Sequence, residues 1–381
     1  MADNYLVEPD VGFIKEVSAL GGQDVKKCFQ CATCSVVCPI SPDTQPFPRK
    51  EMIAAGWGLK DRVLNSADIW LCHNCGDCST KCPRGAQPGD VLAALRTYAV
   101  SEYVSEVKPF QKLAKMVNDP KALPVLLAIP AVIFIVLGLI TGLLDFTPEG
   151  EEIVHAHFFS TWLVDMIMIP ASIFAAAAFA LGLKNFVTRM HENALRDGKT
   201  DKKDLDPVGI VRGIITSVPA IIRHDKFNEC TENRERSTAH MMVLFGFIGL
   251  AIVTGIFFVV LYGFQIHGPY SQLNPVKWLA NVSGVALVIG SILMLKQRLA
   301  KSDQISTYKD WYLIGLALAL GLSGMLTEMT RLAGMGGLSY FIYFLHLMFV
   351  FSLFVYTPFS KLAHLVYRTV AIGYNEWSGR K

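Results

Sequence analysis

Residues 28 to 39 read CFQCATCSVVCP and residues 72 to 83 read CHNCGDCSTKCP. One spacing, C-x-x-C-x-x-C-x-x-x-C-P, thus occurs twice with a shift of 44 residues, and it uses eight of the nine cysteines. A chain that gathers eight sulfurs in so short a stretch must fold there around whatever joins them. Disulfides are one use of such a set, in a secreted domain. The start, MADNYLVEPDVGF, lacks a basic region followed by an apolar stretch and does not read as a signal peptide. A reducing compartment and metal ligation fit better.

Four thiolates separated by 2, 2 and 3 residues and followed by Pro form the run of bacterial two-cluster ferredoxins. Three closely spaced cysteines wrap one face of a cubane while backbone N–H groups point at its sulfurs. The fourth lies beyond the reach of that turn, and in two-cluster proteins it ligates the other cluster. One [4Fe-4S] cluster is therefore assigned to Cys28, Cys31, Cys34 and Cys82, and the other to Cys72, Cys75, Cys78 and Cys38. Structural zinc, the alternative, generally uses two C-x-x-C pairs without the trailing Pro. His73 sits inside the second loop, but the cysteines already complete both sites. Segments 49–60 and 87–103 are rich in helix formers, with apolar positions at 91, 92, 95 and 99. Residues 1–110 thus read as an α-helical ferredoxin domain with two clusters.

The remainder, 111–381, is of another kind. With 52% hydrophobic and 18% charged residues overall, the chain is too apolar for an ordinary soluble domain. Six stretches reach the ~20 residues needed to cross a bilayer: 122–144, 161–183, 239–262, 276–295, 311–330 and 339–360. The expected fold class is all-α, the ferredoxin domain preceding a six-helix transmembrane bundle of cytochrome b type. The linker 184–238 holds eleven Lys/Arg, 296–309 holds four and the tail from Lys361 holds four; 145–160 and 263–275 hold none. The positive-inside rule places the N-terminal domain, the linker and the C-terminus in the cytoplasm, in a multi-pass protein of the cytoplasmic (inner) membrane. Within the linker, 206–227 is apolar but broken by Gly and Pro. It reads as an interfacial segment or, failing that, as a soluble packing element.

Ionisable residues in or beside membrane spans point to function. His346 and His364 are 18 residues apart. On one continuous helix that is five turns, about 27 Å, with both rings on one face; Pro358 lies between them. Two stacked b haems need such a pair, each with a second imidazole. On the cytoplasmic side His240 is the candidate partner of His364. On the outer side His157 or His155 would partner His346; His157 is preferred as nearer the apolar run, with His267 as a weaker option. The alternative for each is a capping or interfacial histidine. Arg234 and Arg236 are candidates for pairing with haem propionates. Glu328 and Arg331, three apart on one helix face, are either a surface ion pair or a quinone-headgroup site beside the outer haem. Cys230, the ninth cysteine, reads as a buried inert thiol, or as one near the inner haem or a docking face.

The N-terminal part resembles the small iron–sulfur subunit of heterodisulfide reductases. The membrane part resembles their cytochrome b subunit and the gamma subunit of respiratory nitrate reductases. The carriers are 222–255, IRHDKFNECTENRERSTAHMMVLFGFIGLAIVTG, which looks like the start of a haem-bearing helix, and the 18-residue spacing of His346 and His364. The fusion is similar to the membrane subunits of the quinone-interacting membrane-bound oxidoreductases of sulfate reducers. In one respect it departs: the nitrate reductase pattern has a second histidine ten residues beyond His240, and here that position is Leu250. The resemblance implies two heterodisulfide reductase A-like flavin/iron–sulfur partner subunits, menaquinone as membrane substrate, and soluble adenylylsulfate reductase as electron acceptor. No nucleic-acid partner is expected. The expected function is electron transfer between menaquinol and cytoplasmic partners in sulfate respiration. Rivals are the membrane subunit of a sulfite-reduction or heterodisulfide reductase complex, and a haem-free anchor. A transporter is disfavoured because the spans show no repeat of broken helices.

Overall fold

In hydrocarbon an apolar stretch has only its own backbone to bond with, so each closes its hydrogen bonds as a helix. The computed structural model describes residues 8–146, 152–223, 225, 229–231, 236–300 and 306–379. Among these there is no strand, only an isolated antiparallel bridge between Leu144 and Phe159. Helices of seven residues or more are numbered α1 (Val11–Val17), α2 (Arg49–Gly56), α3 (Pro88–Tyr103), α4 (Lys108–Val117), α5 (Leu123–Thr141), α6 (Thr161–Arg196), α7 (Pro207–Arg223), α8 (Arg236–Phe264), α9 (Pro275–Ala300), α10 (Tyr308–Leu332), α11 (Gly336–Tyr356) and α12 (His364–Ser378). Six of them, α5, α6, α8, α9, α10 and α11, are long and apolar enough to cross a membrane.

These six begin and end close to the expected spans, except α6. It runs on to Arg196, 13 residues past the expected end at 183. The 36 residues make a rod of about 54 Å. Its last turns enter the cysteine domain, where Phe186, Met190 and Ala194 join the core formed by Trp70, Leu92 and Tyr103. Asn185 Nδ2 donates to Tyr103 O at 2.8 Å and Asn193 Nδ2 to Asn65 O at 3.0 Å. Tyr367 of α12 stacks on Trp70, with ring centroids 5.0 Å apart. The core of the cysteine domain is therefore not confined to residues 1–110; α6, α7 and α12 complete it.

The segment expected at the interface is largely α7. Gly213 of α7 and Gly373 of α12 meet backbone to backbone, and a Cβ on either would strike the other helix. Val208, Val211, Ile215, Val218 and Ile222 are exposed, and their spacing of three and four puts them on one face. In the bundle, α8 and α9 approach through small residues: Gly246 and Gly249 face Ser283, and Gly290 faces the Ala239 carbonyl. The start of α10 is fastened to the cysteine domain. Lys309, buried, donates to Leu20 O at 3.2 Å and Ala93 O at 3.3 Å. Asp310 meets Arg298 at 3.0 Å and also accepts from Lys361.

His346 and His364 do not share one helix. After α11 ends at Tyr356, Pro358 lies in a 3-10 turn, Ser360 is extended (φ −96°, ψ 176°), and α12 starts afresh at His364. Proline lacks the N–H that would continue the ladder and its ring crowds the preceding turn. Ser360 Oγ then accepts from Leu362 N at 3.2 Å, capping the new turn. The five-turn geometry expected from the 18-residue spacing is thereby replaced by two helices with a break between them.

Candidate functional site

The two cysteine loops share one backbone course. Gln30 and Ala32 have φ of 69° and 70°; Asn74 and Gly76, at the same positions of the second run, have 53° and 98°. Two left-handed residues curl each loop so that its first three sulfurs converge on one side. A one-turn helix follows in each case, Thr33–Val36 and Asp77–Thr80, carrying the third cysteine. Donors already point at sulfur: Gln30 Nε2 to Cys28 Sγ at 3.2 Å, Asn74 N to Cys72 Sγ at 3.3 Å and Ala86 N to Cys82 Sγ at 3.3 Å.

The fourth cysteine of each run crosses to the other loop. Cys34 has Cys28, Cys31 and Cys82 as electrostatic neighbours. Cys38 has Cys72 and Cys75, and Cys78 has Cys72, Cys75 and Cys38 among its neighbours. Burial, then the neighbouring sulfurs, push the Cys34 thiol up to about 11, and burial pushes Cys38 up to about 12; Cys78 is raised too. Thiols so placed ionise together only when a cation sits among them and takes the place of their protons. Cys31 goes the other way: it is exposed, and its contact with Thr33 Oγ1 at 3.3 Å lowers its pKa.

The histidines form two pairs. His364 Nδ1 bonds to Lys361 O at 2.7 Å. A carbonyl only accepts, so Nδ1 carries the proton and Nε2 is left for another partner. His240, in the first turns of α8, is the electrostatic neighbour of His364. This pair lies at the end of the bundle that meets the cysteine domain. At the other end, His346 Nδ1 meets Ser323 Oγ at 2.9 Å. Gly324 makes room for that ring: a Cβ there would lie 3.2 Å from His346 Cε1. The neighbour of His346 is His155, whose Nε2 meets Ser339 Oγ at 2.9 Å and whose ring packs on Tyr343 at 4.7 Å. His157, preferred from the sequence, is exposed, and so is His267. The one-turn helix His155–Phe158 turns the two histidines to different sides, with only His155 directed inward. Burial, reinforced by the charge of Arg331, pushes His155 down to about 4, so its imidazole is neutral at neutral pH.

Glu328 is not an isolated surface pair with Arg331. It accepts from Arg331 Nη2 at 3.0 Å, from Lys277 Nζ at 2.6 Å and from Gln272 Nε2. Lys277, three residues into α9, was hidden in the sequence by the apolar run that follows it. Glu328, Arg331 and Lys277 all act electrostatically on His155, so this network adjoins the outer histidine pair.

Two contacts tie the second cysteine loop to later parts of the chain. Arg368 of α12 donates from Nη1 to Cys72 O at 3.3 Å and from Nη2 to the His73 ring. Cys230, expected from the sequence to be a buried thiol or to lie near the inner haem or a docking face, is buried against Cys75 and Asp77, their ligand atoms all within 4.8 Å. Arg236 is half-buried one turn before His240; Arg234 lies outside the described residues.

Residues 24–86 match the 4Fe-4S dicluster domain family. Over 90 residues the chain is 34% identical to the C subunit of the H(2):CoB-CoM heterodisulfide,ferredoxin reductase of Methanothermobacter marburgensis, and equally to the protein of that name from Methanothermobacter thermautotrophicus. The match covers 24% of this chain and 49% of each relative, so the chain spans about half the length of the curated relatives it matches. No solved structure matches. Residues 24–86 are thus a 4Fe-4S dicluster domain similar to part of those two methanogen proteins, in a chain that also carries six helices long and apolar enough to span a membrane.

Proposed function

We propose that the chain is the membrane electron-transfer subunit of a respiratory complex. It passes electrons between menaquinol and cytoplasmic flavin/iron–sulfur partner subunits, toward adenylylsulfate reductase in sulfate respiration. One observation carries the reading: Arg368, one turn beyond His364, grips the backbone of Cys72. The inner histidine pair and the second cysteine set thus belong to one packed unit. Two [4Fe-4S] clusters at the cysteine sets and two b haems at His240/His364 and His346/His155 would supply the one-electron chemistry.

The chain's own part is positional. Lys361 O and Ser323 Oγ each fix one nitrogen of a half-buried imidazole, as do the outer hydrogen bonds that orient a histidine ligand. Gly324 supplies the space, and Leu250 packs against Leu287, Ala317 and Leu320, so α8 offers one histidine and His155 fills the other role. Glu328 with Lys277 and Arg331 supplies a proton acceptor flanked by donors beside the outer pair, which suits a quinol headgroup. At the far end Cys31, Phe29 and Val36 are exposed, offering the first cluster's edge to a partner. The basic linker and the exposed apolar face of α7 lie on the side of the cysteine domain, in keeping with a cytoplasmic placement at the membrane surface.

A dithionite-reduced minus oxidised spectrum of the purified complex tests this. A b-type α band that also develops with a menaquinol analogue is expected. A flat spectrum would leave a haem-free anchor. The rival reading, a membrane subunit of heterodisulfide reductase, draws on the same 34% identity; the partners that copurify separate the two.

A further inference from the structure

Cys230 reaches the second cysteine set from a distant part of the chain. It lies between α7 and α8, is 1% exposed, and is a side-chain hydrogen-bond partner of Cys75. The two sulfurs and an Asp77 carboxylate oxygen lie within 4.8 Å of one another, all three residues being buried. The approach is built in. Thr231 N donates to Asp77 Oδ2 at 3.1 Å and Thr231 Oγ1 to Asp77 Oδ1 at 3.4 Å. Asp77 in turn opens the one-turn helix that carries Cys78. Ten residues after Cys230, on the following helix, comes His240.

We propose that Cys230 is an outer-sphere thiol of the second cluster, donating its S–H to the Cys75 sulfur and thereby raising the reduction potential of the centre nearest the inner histidine pair. When a cubane gains an electron, negative charge grows on its thiolate sulfurs. A donor to one of them stabilises the reduced form more than the oxidised form, and the potential rises. The site is closed to water, so no solvent hydrogen bond substitutes for the thiol. Four cysteines already complete this set, which makes the fifth sulfur a modulator and not a ligand. The inference rests on the reading of Cys72, Cys75, Cys78 and Cys38 as one cluster's ligands.

The test uses the full-length protein in its complex, with Cys230→Ala and the near-isosteric Cys230→Ser. Iron and labile sulfide are quantified, and both clusters are titrated by EPR against potential. Expected is full iron in both variants, a second-cluster midpoint that falls in Cys230→Ala, and an intermediate value in Cys230→Ser, where a hydroxyl still donates. The first cluster stays unchanged. An unaltered second-cluster midpoint in Cys230→Ala overturns the proposal. So does loss of the second cluster from both Cys230 variants while Cys75→Ala retains it, because Cys230 would then be the ligand. Wild-type protein that holds zinc or no iron would instead refute the ligand reading beneath it, and the iron assay alone reports that.

Discussion

Arg368 donates through Nη2 to the ring of His73, with contacts of 2.9 Å to Nδ1 and 2.6 Å to Nε2, so that the final helix is locked onto the loop between Cys72 and Cys75. The same guanidinium reaches Leu71 O at 3.4 Å. Burial lowers its pKa to about 10, which leaves it charged at neutral pH. A fixed cation therefore stands beside the loop that carries Cys72 and Cys75. Arg368→Gln should lower the midpoint potential of the second cluster and leave the first alone. Arg368→Lys should restore the charge but not the forked contacts. Redox titration followed by EPR reads this, and equal potentials in wild type and Arg368→Gln would show that the charge is not felt.

The crossing of Cys38 and Cys82 predicts which substitutions share a phenotype. Cys38→Ala and Cys75→Ala should erase the same EPR signal, and Cys82→Ala and Cys34→Ala the other, each with loss of roughly half the iron. Were Cys38→Ala to abolish the signal that Cys34→Ala abolishes, each run would be ligating its own cluster.

The outer histidines separate cleanly. His346→Ala and His155→Ala should each remove one of two haems, measured as pyridine haemochrome, while His157→Ala keeps both because its ring is exposed. Haem loss from His157→Ala with His155→Ala intact would reverse the assignment.

Glu328 gives a kinetic prediction. Glu328→Gln keeps the shape but cannot take a proton, so quinol-driven reduction should slow by about 100-fold with haem content unchanged. Stopped-flow reduction of the b band measures it. A wild-type rate would reduce the network to a structural brace.

Glu51 governs a pH dependence of stability. It is buried beside Asp68, whose Oδ2 takes Lys50 at 2.6 Å. Burial, then the charge of Asp68, holds the Glu51 carboxyl well above its usual 4.5. The folded protein keeps a proton that the unfolded chain gives up above that value. The contribution is therefore complete below 4.5 and is lost as pH rises toward the raised pKa. In thermal melts, Glu51→Gln should lose less stability than wild type between about pH 5 and pH 8. Parallel pH profiles for the two proteins would rule Glu51 out as the source.

What could be read in advance was local. Sulfur spacing and the positions of six helices depend on residues a few places apart, and Cys28 to Cys38 or the run 311–330 carry their own signal. Long-range placement left no such trace. Nothing near Cys230 in sequence announces Cys75, and nothing in HAHF says which imidazole turns inward. Lys277 lies at the edge of the apolar run 276–295, and only the fold sets it opposite Glu328. The break after Tyr356 was half legible: Pro358 disfavours a continuous helix, but Pro170 sits inside α6 without ending it, and the extended Ser360 and the fresh start at His364 are settled by tertiary packing.

The length of α6 bears on how fast the proposed relay can run. Tunnelling rates fall steeply with separation, so a soluble module swinging on a pliant tether would deliver electrons only during its closest excursions. Here an unbroken rod enters the module's interior and is bonded there through Asn185 and Asn193. In the proposed relay, the separation of the histidine pairs from the cysteine sets is consequently set when the chain folds.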